Sequence, residues 1–149
     1  MSRTSLAPPR VTVDNIGFLL AKASQRFNER LHERFEERGF GEVRASYGSV
    51  LVPLFERDGL RLVELAAAAR LSKQSMTALV KLCEVDGLVE RQRDPDDGRA
   101  FNVRLTPRGH EFRSVAEEVL AELDEELVET IGNHNRDALI EALKEVIEL

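Results

Sequence analysis

Four side chains on one face of a predicted helix, residues 72–86, have the chemistry needed to contact DNA. At about 100° per residue, the opposite face is apolar and the outer face carries Gln74, Thr77, Ala78 and Lys81. Gln pairs with adenine through two hydrogen bonds, Thr donates to base edges or touches a thymine methyl group, and Lys reaches phosphate or guanine. The first turn adds further candidate DNA-binding residues, namely Ser72, Lys73 and Ser75. The alternative interpretation is an ordinary solvated helix face.

A second candidate contact is a basic residue in a loop between two strand-length runs, residues 88–93 and 100–105. The second run alternates apolar and polar side chains, and the loop at 94–99 consists of turn residues, so we predict a β-hairpin. Arg99 lies near its tip and is placed to enter a minor groove, where a narrow width concentrates negative potential. We expect at least one loop aspartate to hold an arginine or to shape the turn. Pairing of Asp97 with Arg91 or Arg99 is the structural alternative.

Two short helices are predicted to position these side chains. Leucines and alanines at helical spacing predict a helix over residues 62–70. Ser72 is suited to cap the N-terminus of the next helix, and Gly87 is suited to end it. A turn of about 3–4 residues between two helices is typical of a helix-turn-helix, although other helical proteins share this spacing. Thr106 and Pro107 predict the start of a further helix after the hairpin.

Apolar stripes at both ends of the chain exceed what this small unit can cover. The first stripe, on a helix predicted at about 12–38, consists of Ile16, Leu19, Leu20, Ala23, Phe27, Leu31 and Phe35. The second consists of Phe112, Val115, Ala116, Val119, Leu123, Leu127 and Ile131, followed after Gly132-Asn133 by Leu139, Ile140, Leu143, Val146 and Ile147. We expect these faces to form a twofold interface in a homodimer. A three-helix bundle within a monomer is the alternative.

Composition agrees with a single domain over residues 1–149. A chain of 149 residues that is 42% hydrophobic can bury one core. No run of about 18 apolar residues is present, and residues 1–10 do not resemble a signal peptide, so we predict a cytoplasmic protein that does not enter a membrane.

The distribution of charge decides whether the overall acidity argues against DNA. The net charge is -6, yet residues 61–110 carry 9 Lys and Arg against 7 Asp and Glu, whereas residues 111–149 carry 3 against 12. The acidity is therefore concentrated in the C-terminal helices, which would have to point away from a duplex. Since the middle segment is only mildly basic, we expect non-specific binding to be weak.

The sequence offers no catalytic constellation. His32, His110 and His134 fall on different predicted helices without partners at metal-ligand spacing. No Gly-rich phosphate loop precedes a helix. Cys83 points toward the core, where packing is a better interpretation than oxidation sensing. We therefore predict that the protein is not an enzyme and needs neither a metal ion nor another cofactor.

The combined pattern resembles the multiple antibiotic resistance regulator (MarR) family of winged helix-turn-helix repressors. The matching segments are Glu64-Leu65-Ala66, the helix at 72–80, Gly87-Leu88-Val89-Glu90-Arg91, Asp97-x-Arg99 and Leu105-Thr106-x-x-Gly109. The resemblance implies a mostly α fold with a small β-hairpin wing (α+β), a winged helix-turn-helix at about 43–106 and dimerisation helices at about 12–38 and 107–149. It also implies a homodimer in which the helix at 72–86 enters the major groove and Arg99 the minor groove.

The resemblance further implies a ligand-responsive regulator. A helix is predicted within residues 44–57, and in the resembled family this helix helps to line a crevice that binds small aromatic or phenolic effectors. Tyr47 and His32 are candidate effector contacts, and the alternative is that they pack or are solvated. The expected function is a sequence-specific repressor that binds a pseudo-palindromic operator in double-stranded DNA and is released by an effector. The alternative is a winged-helix protein-interaction module without DNA binding, favoured by the acidity and by Ala78, where many members carry a cation.

Overall fold

The computed structural model describes residues 11–149, so residues 1–10, on which the signal-peptide expectation rests, lie outside the described residues. The elements are α1 (Ile16–Glu37), a 3₁₀ turn (Ala45–Tyr47), α2 (Gly48–Glu56), β1 (Leu60–Arg61), α3 (Leu62–Ala69), α4 (Lys73–Val85), β2 (Val89–Arg93), β3 (Phe101–Leu105) and α5 (Pro107–Ile147). This order confirms the predicted fold class, which is mostly helical with a small β wing and has the N- and C-terminal helices in contact.

The helix-turn-helix forms as the sequence predicts. Residues 70–72 join α3 to α4, and Arg70 ends α3 in the left-handed region at φ 54°. The Ser72 hydroxyl oxygen accepts a hydrogen bond of 3.0 Å from the backbone N–H of Ser75, which satisfies a donor that the first turn of α4 would leave unpaired. The inner face of α4 is fully buried through Met76, Val80 and Cys83. Tight packing on this face fixes which side chains the outer face presents.

The wing has one strand more than the predicted hairpin. In the three-stranded antiparallel sheet, β3 lies between β1 and β2. The pair formed by β2 and β3 has the expected register, with Arg91 opposite Val103, and Leu60 of β1 pairs with Val103 from the other side. A strand of two residues is too short to show alternation, so the sequence gives no signal for β1. Because β1 leads directly into α3, it anchors the wing to the helix-turn-helix.

A close contact joins the start of α5 to the turn between α4 and β2. The Thr106 hydroxyl donates to the carbonyl of Gly87 at 2.6 Å and accepts from the N–H of Gly109 at 3.1 Å. Thr106 is therefore the N-cap of α5, with Pro107 in its first turn, as predicted. Gly109 is buried against the carbonyl oxygen of Leu88. This junction fixes the direction in which α5 leaves the winged domain.

An ion-pair ladder holds the C-terminal half of α1 against α5. The guanidinium of Arg34 contacts both Glu122, at 3.2 Å, and Glu126. Arg30 pairs with Glu126 at 2.6 Å and Arg38 pairs with Glu122. Since the four pairs share two carboxylates, removing one glutamate disrupts two arginine contacts.

This ladder makes stability depend on pH. Hydrogen bonds from Arg34 and then Arg30 hold the pKa of Glu126 below its ordinary value of 4.5. A depressed carboxyl pKa gives stability that is complete above the unfolded-state value and is lost as the pH falls through the folded-state value. We expect the melting temperature to fall between about pH 5 and pH 3 in the wild-type protein, and to fall less steeply in Glu126→Gln. Glu129→Gln, an exposed carboxylate on the same helix, is the control and should retain the wild-type slope.

Apolar residues of α1 and of the last part of α5 remain uncovered within residues 11–149. The predicted stripe of α1 is buried only toward its C-terminus, whereas Ile16 is 70% exposed and Leu19 46% exposed. Helix α5 turns sharply at Gly132, where φ is 82° and ψ 161°, as Gly132-Asn133 predicted. Beyond this turn Arg136 pairs with Asp124 at 2.8 Å, and the apolar side chains are again partly exposed: Leu139, Leu143, Val146 and Ile147. Helix α1 and the two parts of α5, before and after Gly132, therefore do not form a closed bundle within one chain.

Candidate nucleic-acid interface

The outer face of α4 is an open surface depression of polar and small side chains. It is lined by Lys73, Gln74, Thr77, Ala78 and Lys81. This set contains the four outer-face residues that the helical periodicity predicts, together with one first-turn residue. Two of the five side chains are cationic and none is a carboxylate, so the surface is suited to a polyanion.

Three hydroxyl groups, on α4 and on its N-cap, are already engaged in hydrogen bonds within this segment. The Thr77 hydroxyl donates to the carbonyl oxygen of Lys73 at 2.8 Å. Its proton is therefore not available to a base acceptor, and the side chain offers its methyl group and oxygen lone pairs instead. The Ser72 hydroxyl donates to that of Ser75 at 3.0 Å while capping the helix. The first-turn serines thus have a structural role irrespective of any contact with DNA.

Asp94 anchors the base of the wing. Its carboxylate accepts hydrogen bonds of 3.0 and 2.6 Å from the guanidinium of Arg61 in β1 and one of 2.9 Å from the backbone N–H of Asp96. The bond from Asp96 and then those from Arg61 hold the pKa of Asp94 below its ordinary value. The aspartate that holds an arginine is thus Asp94, and the arginine comes from the strand that the sequence did not predict.

The alternative prediction, that the Asp97 carboxylate pairs with the guanidinium of Arg91 or Arg99, is wrong. Its carboxylate accepts the backbone N–H of Arg99 at 3.1 Å and shapes the turn, whereas Arg91 pairs with Glu84 of α4 at 2.7 Å. The side chain of Arg99 is exposed at the wing. The structure therefore leaves the Arg99 guanidinium directed away from the core, as a groove contact requires.

Arg93 is a further wing cation that the sequence interpretation missed. It donates to the carbonyl of Gly98 at 3.1 Å and lies 5.8 Å from the ring centroid of Phe101. Strand alternation places Arg93 on the same face as the buried Val89 and the half-buried Arg91, so the pattern gave no signal that Arg93 would be exposed. Arg93 braces the loop on which Arg99 is carried.

Loosening the wing should weaken DNA binding without unfolding the protein. In Asp94→Asn the charge that holds Arg61 is lost. If the wing is then correctly placed about one tenth of the time, affinity for a duplex falls about tenfold. Fluorescence anisotropy with a labelled duplex measures this loss. Asp96→Asn is the matched control: the Asp96 side chain is exposed, so its neutralisation should leave binding equal or slightly tighter. Equal affinity of Asp94→Asn and wild type would refute the anchoring role.

An apolar cavity of about 490 Å³ lies between α2 and the α1–α5 helices. Most of its lining is hydrophobic, including Phe35, Leu51, Phe55 and Leu120, and charged side chains also line it: Arg44, Glu56, Arg113 and Glu117. Arg113 pairs with Glu117 at 3.2 Å, and its guanidinium lies 5.8 Å from the ring centroid of Phe55. The cavity is suited to an apolar molecule with a polar or anionic group.

The two predicted effector contacts do not line this cavity. His32 is exposed on α1, with its Nε2 3.3 Å from Glu36. Tyr47 is buried, and its hydroxyl donates to the carboxylate of Asp86 at 2.5 Å. Burial, and then the bond to Asp86, raise the pKa of Tyr47 to about 12, so the phenol is neutral near pH 7. The neighbours Ala45 and Gly48 line the cavity instead.

Neither a reactive thiol nor a metal centre is found in residues 11–149. Cys83 is buried and packs in the core as predicted, and burial raises the pKa of its thiol to about 12, which opposes thiolate chemistry. No cluster of three potential metal ligands occurs in this part of the chain. None of the helices described here combines the length and the apolarity needed to cross a membrane.

Comparison with known proteins finds one family model and a set of similar structures. The MarR family model matches residues 54–100, which contain the helix-turn-helix and much of the wing. No protein of curated function matches the chain. A probable transcriptional regulator from Pseudomonas aeruginosa has a similar structure: it is 24% identical with a TM-score of 0.77, covering 89% of this chain and 97% of that one.

Two similar structures contain ligands. The transcriptional repressor CouR bound to a 23-mer DNA duplex is 24% identical, with a TM-score of 0.77 over 93% of this chain and 99% of that one. CouR from Rhodococcus jostii RHA1 bound to p-coumaroyl-CoA is 26% identical, with a TM-score of 0.70 over 89% of this chain and 92% of that one. The winged-helix fold of this chain is thus shared over nearly its full length.

Proposed function

We propose that the chain is a DNA-binding transcriptional regulator of the MarR family, whose model matches residues 54–100, and that it is a repressor that binds a pseudo-palindromic operator as a homodimer. A small molecule that occupies the cavity beside α2 releases it from DNA. In this assignment α4 enters the major groove and Arg99 enters the adjacent minor groove.

The main support for DNA binding is the composition of the exposed face of α4. Lys73 and Lys81 flank Gln74, Thr77 and Ala78 on one exposed face. The cations attract the phosphate backbone, Gln74 has the geometry to pair with adenine, and the methyl groups of Thr77 and Ala78 suit contact with thymine. The acidic residues are concentrated in α5, and their repulsion by phosphate favours the orientation in which α4 and the wing face the duplex.

Dimerisation is supported by the uncovered apolar surface of α1 and α5. Ile16, Leu19 and Phe27 of α1 and Leu139 and Val146 of α5 remain 39–70% exposed in the single chain. Burying such surface against a second copy removes it from water, at about 25 cal/mol per Å². A twofold pair then presents two α4 helices to sites about one DNA turn apart, which requires an inverted repeat.

The cavity supports the choice of an aromatic effector. It combines apolar walls with Arg44 and Arg113. CouR, which is 26% identical to this chain, was solved with p-coumaroyl-CoA, an aromatic acyl thioester. We assign the cavity to aromatic carboxylic acids or their derivatives, with the ring against Phe55 and Leu51 and the anionic group toward an arginine. Occupancy disfavours the conformation that binds DNA, which is how a ligand shifts a two-state equilibrium.

Selection from a random duplex library tests the proposal. The full chain should enrich an inverted repeat with half-site centres about 10–10.5 base pairs apart. Sedimentation equilibrium should give twice the chain mass of 16.8 kDa. Leu19→Asp, which places a charge on the exposed apolar stripe, should lower the mass and the operator affinity together. A monomer that binds a single half-site with high affinity, or a library without an enriched motif, would contradict the proposal.

A further inference from the structure

The 3₁₀ turn before α2 contacts both the cavity and the recognition helix. Ala45 and Gly48 line the cavity, whereas Tyr47, between them, directs its side chain into the core. Its hydroxyl reaches Asp86, the residue that caps the C-terminus of α4. One short turn therefore joins the proposed effector site to the end of the helix that carries the DNA-binding face.

The contact is well suited to transmit a displacement. Tyr47 is 1% exposed, so no water competes with Asp86 for its hydroxyl proton. A hydrogen bond to an ionised acceptor is short and strong compared with one between neutral groups. Asp86 is itself fixed to α4 by a bond of 3.1 Å from its backbone N–H to the carbonyl of Leu82, and the next residue, Gly87, donates to the carbonyl of Glu84 at 3.0 Å. A shift of the turn must therefore either move the end of α4 or break the bond.

We propose that Tyr47 is a positioning residue that couples occupancy of the cavity to the orientation of α4 through its bond to Asp86. A molecule wedged against Ala45 and Gly48 displaces the turn, and Tyr47 transfers this displacement to the C-terminal end of α4. Because α4 is packed along its inner face by Met76, Val80 and Cys83, it responds as a rigid element. This inference rests on the proposed release of DNA by a ligand in the cavity.

The test compares operator affinity with and without a saturating aromatic carboxylate, 3-phenylpropionate, in wild type and in three variants. Tyr47→Phe removes only the hydroxyl, Asp86→Ala removes the acceptor, and Asp86→Asn keeps an acceptor oxygen. In wild type we expect the probe to weaken operator binding about 5- to 150-fold, the usual range of coupling between two sites. In Tyr47→Phe and Asp86→Ala the weakening should fall below about twofold, and Asp86→Asn should retain part of it. Operator affinity without the probe and calorimetric affinity for the probe should stay within about threefold of wild type.

A spectroscopic measurement observes the same bond directly. The chain has one tyrosine and no tryptophan, so tyrosine emission reports on Tyr47 alone. An acceptor carboxylate quenches phenol emission, so 3-phenylpropionate should change the emission of wild type and leave that of Asp86→Ala unchanged. Ala116→Phe, which fills the cavity from α5, should abolish the change by excluding the probe.

The outcomes separate this inference from the function on which it rests. If 3-phenylpropionate does not weaken operator binding by wild type, the proposed release mechanism fails and the coupling fails with it. If it weakens binding equally in wild type, Tyr47→Phe and Asp86→Ala, release stands and the role of Tyr47 is refuted. If Tyr47→Phe binds the operator poorly without any probe, Tyr47 merely supports α4 and the coupling is again refuted.

Discussion

Gly109→Ala should destabilise the protein by about 3 kcal/mol or more, near the upper end of overpacking effects. A Cβ atom at this position would lie 2.3 Å from the backbone carbonyl oxygen of Leu88, and next to the side chain of Leu105 at 3.2 Å. This carbonyl belongs to the residue just before β2 and also accepts the N–H of Thr106 at 3.1 Å. Relief of the clash therefore requires α5 to move away from the wing, with loss of the Thr106 bonds.

Thermal unfolding followed by circular dichroism measures this effect at fixed protein concentration. A loss of about 3 kcal/mol corresponds to a fall of roughly 6–12 °C in melting temperature for a chain of this size. Gly48→Ala is the matched control, because a Cβ at the first residue of α2 has nothing within 4 Å. Alanine there should leave stability unchanged or raise it by up to about 1 kcal/mol, since it restricts the unfolded chain. Equal melting temperatures for Gly109→Ala and Gly48→Ala would show that the α5 junction is not tightly packed.

The same junction shows what a motif predicts and what it leaves out. Thr106 and Pro107 predict the start of α5, because capping by Thr106 and the fixed φ of Pro107 act locally. The need for glycine at 109 is not local, since the carbonyl that excludes a side chain belongs to Leu88, which lies 21 residues earlier and just before β2. Periodicity and capping thus predict α1, α3, α4 and α5, whereas the reason for Gly109 is visible only when α5 is packed against the segment that leads into β2.

The wing and the cavity could not be predicted in full from the sequence, because both depend on how side chains pack in three dimensions. The carboxylate that fixes the loop is Asp94, and its partner Arg61 lies 33 residues earlier in a strand of two residues. Three neighbouring aspartates are equivalent in a one-dimensional pattern, so the choice of Asp97 as an ion-pair partner had no basis in packing. Tyr47 was assigned to the effector site by its place in the sequence, but the 3₁₀ turn directs its ring inward and leaves its neighbours to line the cavity.

Arg99→Ala should reduce affinity for the selected operator at least about 30-fold, since a dimer loses two groove contacts worth about 1–3 kcal/mol each. The guanidinium is exposed at the wing, and the Asp97 carboxylate holds the backbone of Arg99 through a hydrogen bond of 3.1 Å. The substitution removes no buried contact, so the melting temperature should be unchanged. Titrations in a gel-shift assay over a range of salt concentrations measure both affinity and salt dependence.

Two further variants separate charge from shape at this position. Arg99→Lys keeps the cation but loses the planar guanidinium that fits a narrow minor groove. It should retain the wild-type salt slope and lose part of the affinity, whereas Arg99→Ala should reduce the slope by up to about 1.8 if each arginine neutralises one phosphate. Arg26→Ala removes the same charge from the exposed surface of α1, where Arg26 pairs with Glu29 at 3.4 Å. Since α1 is assigned to the dimer and not to the duplex, this variant should bind the operator as wild type does. If Arg26→Ala and Arg99→Ala lose affinity equally, net charge alone governs binding and the minor-groove assignment of Arg99 is wrong.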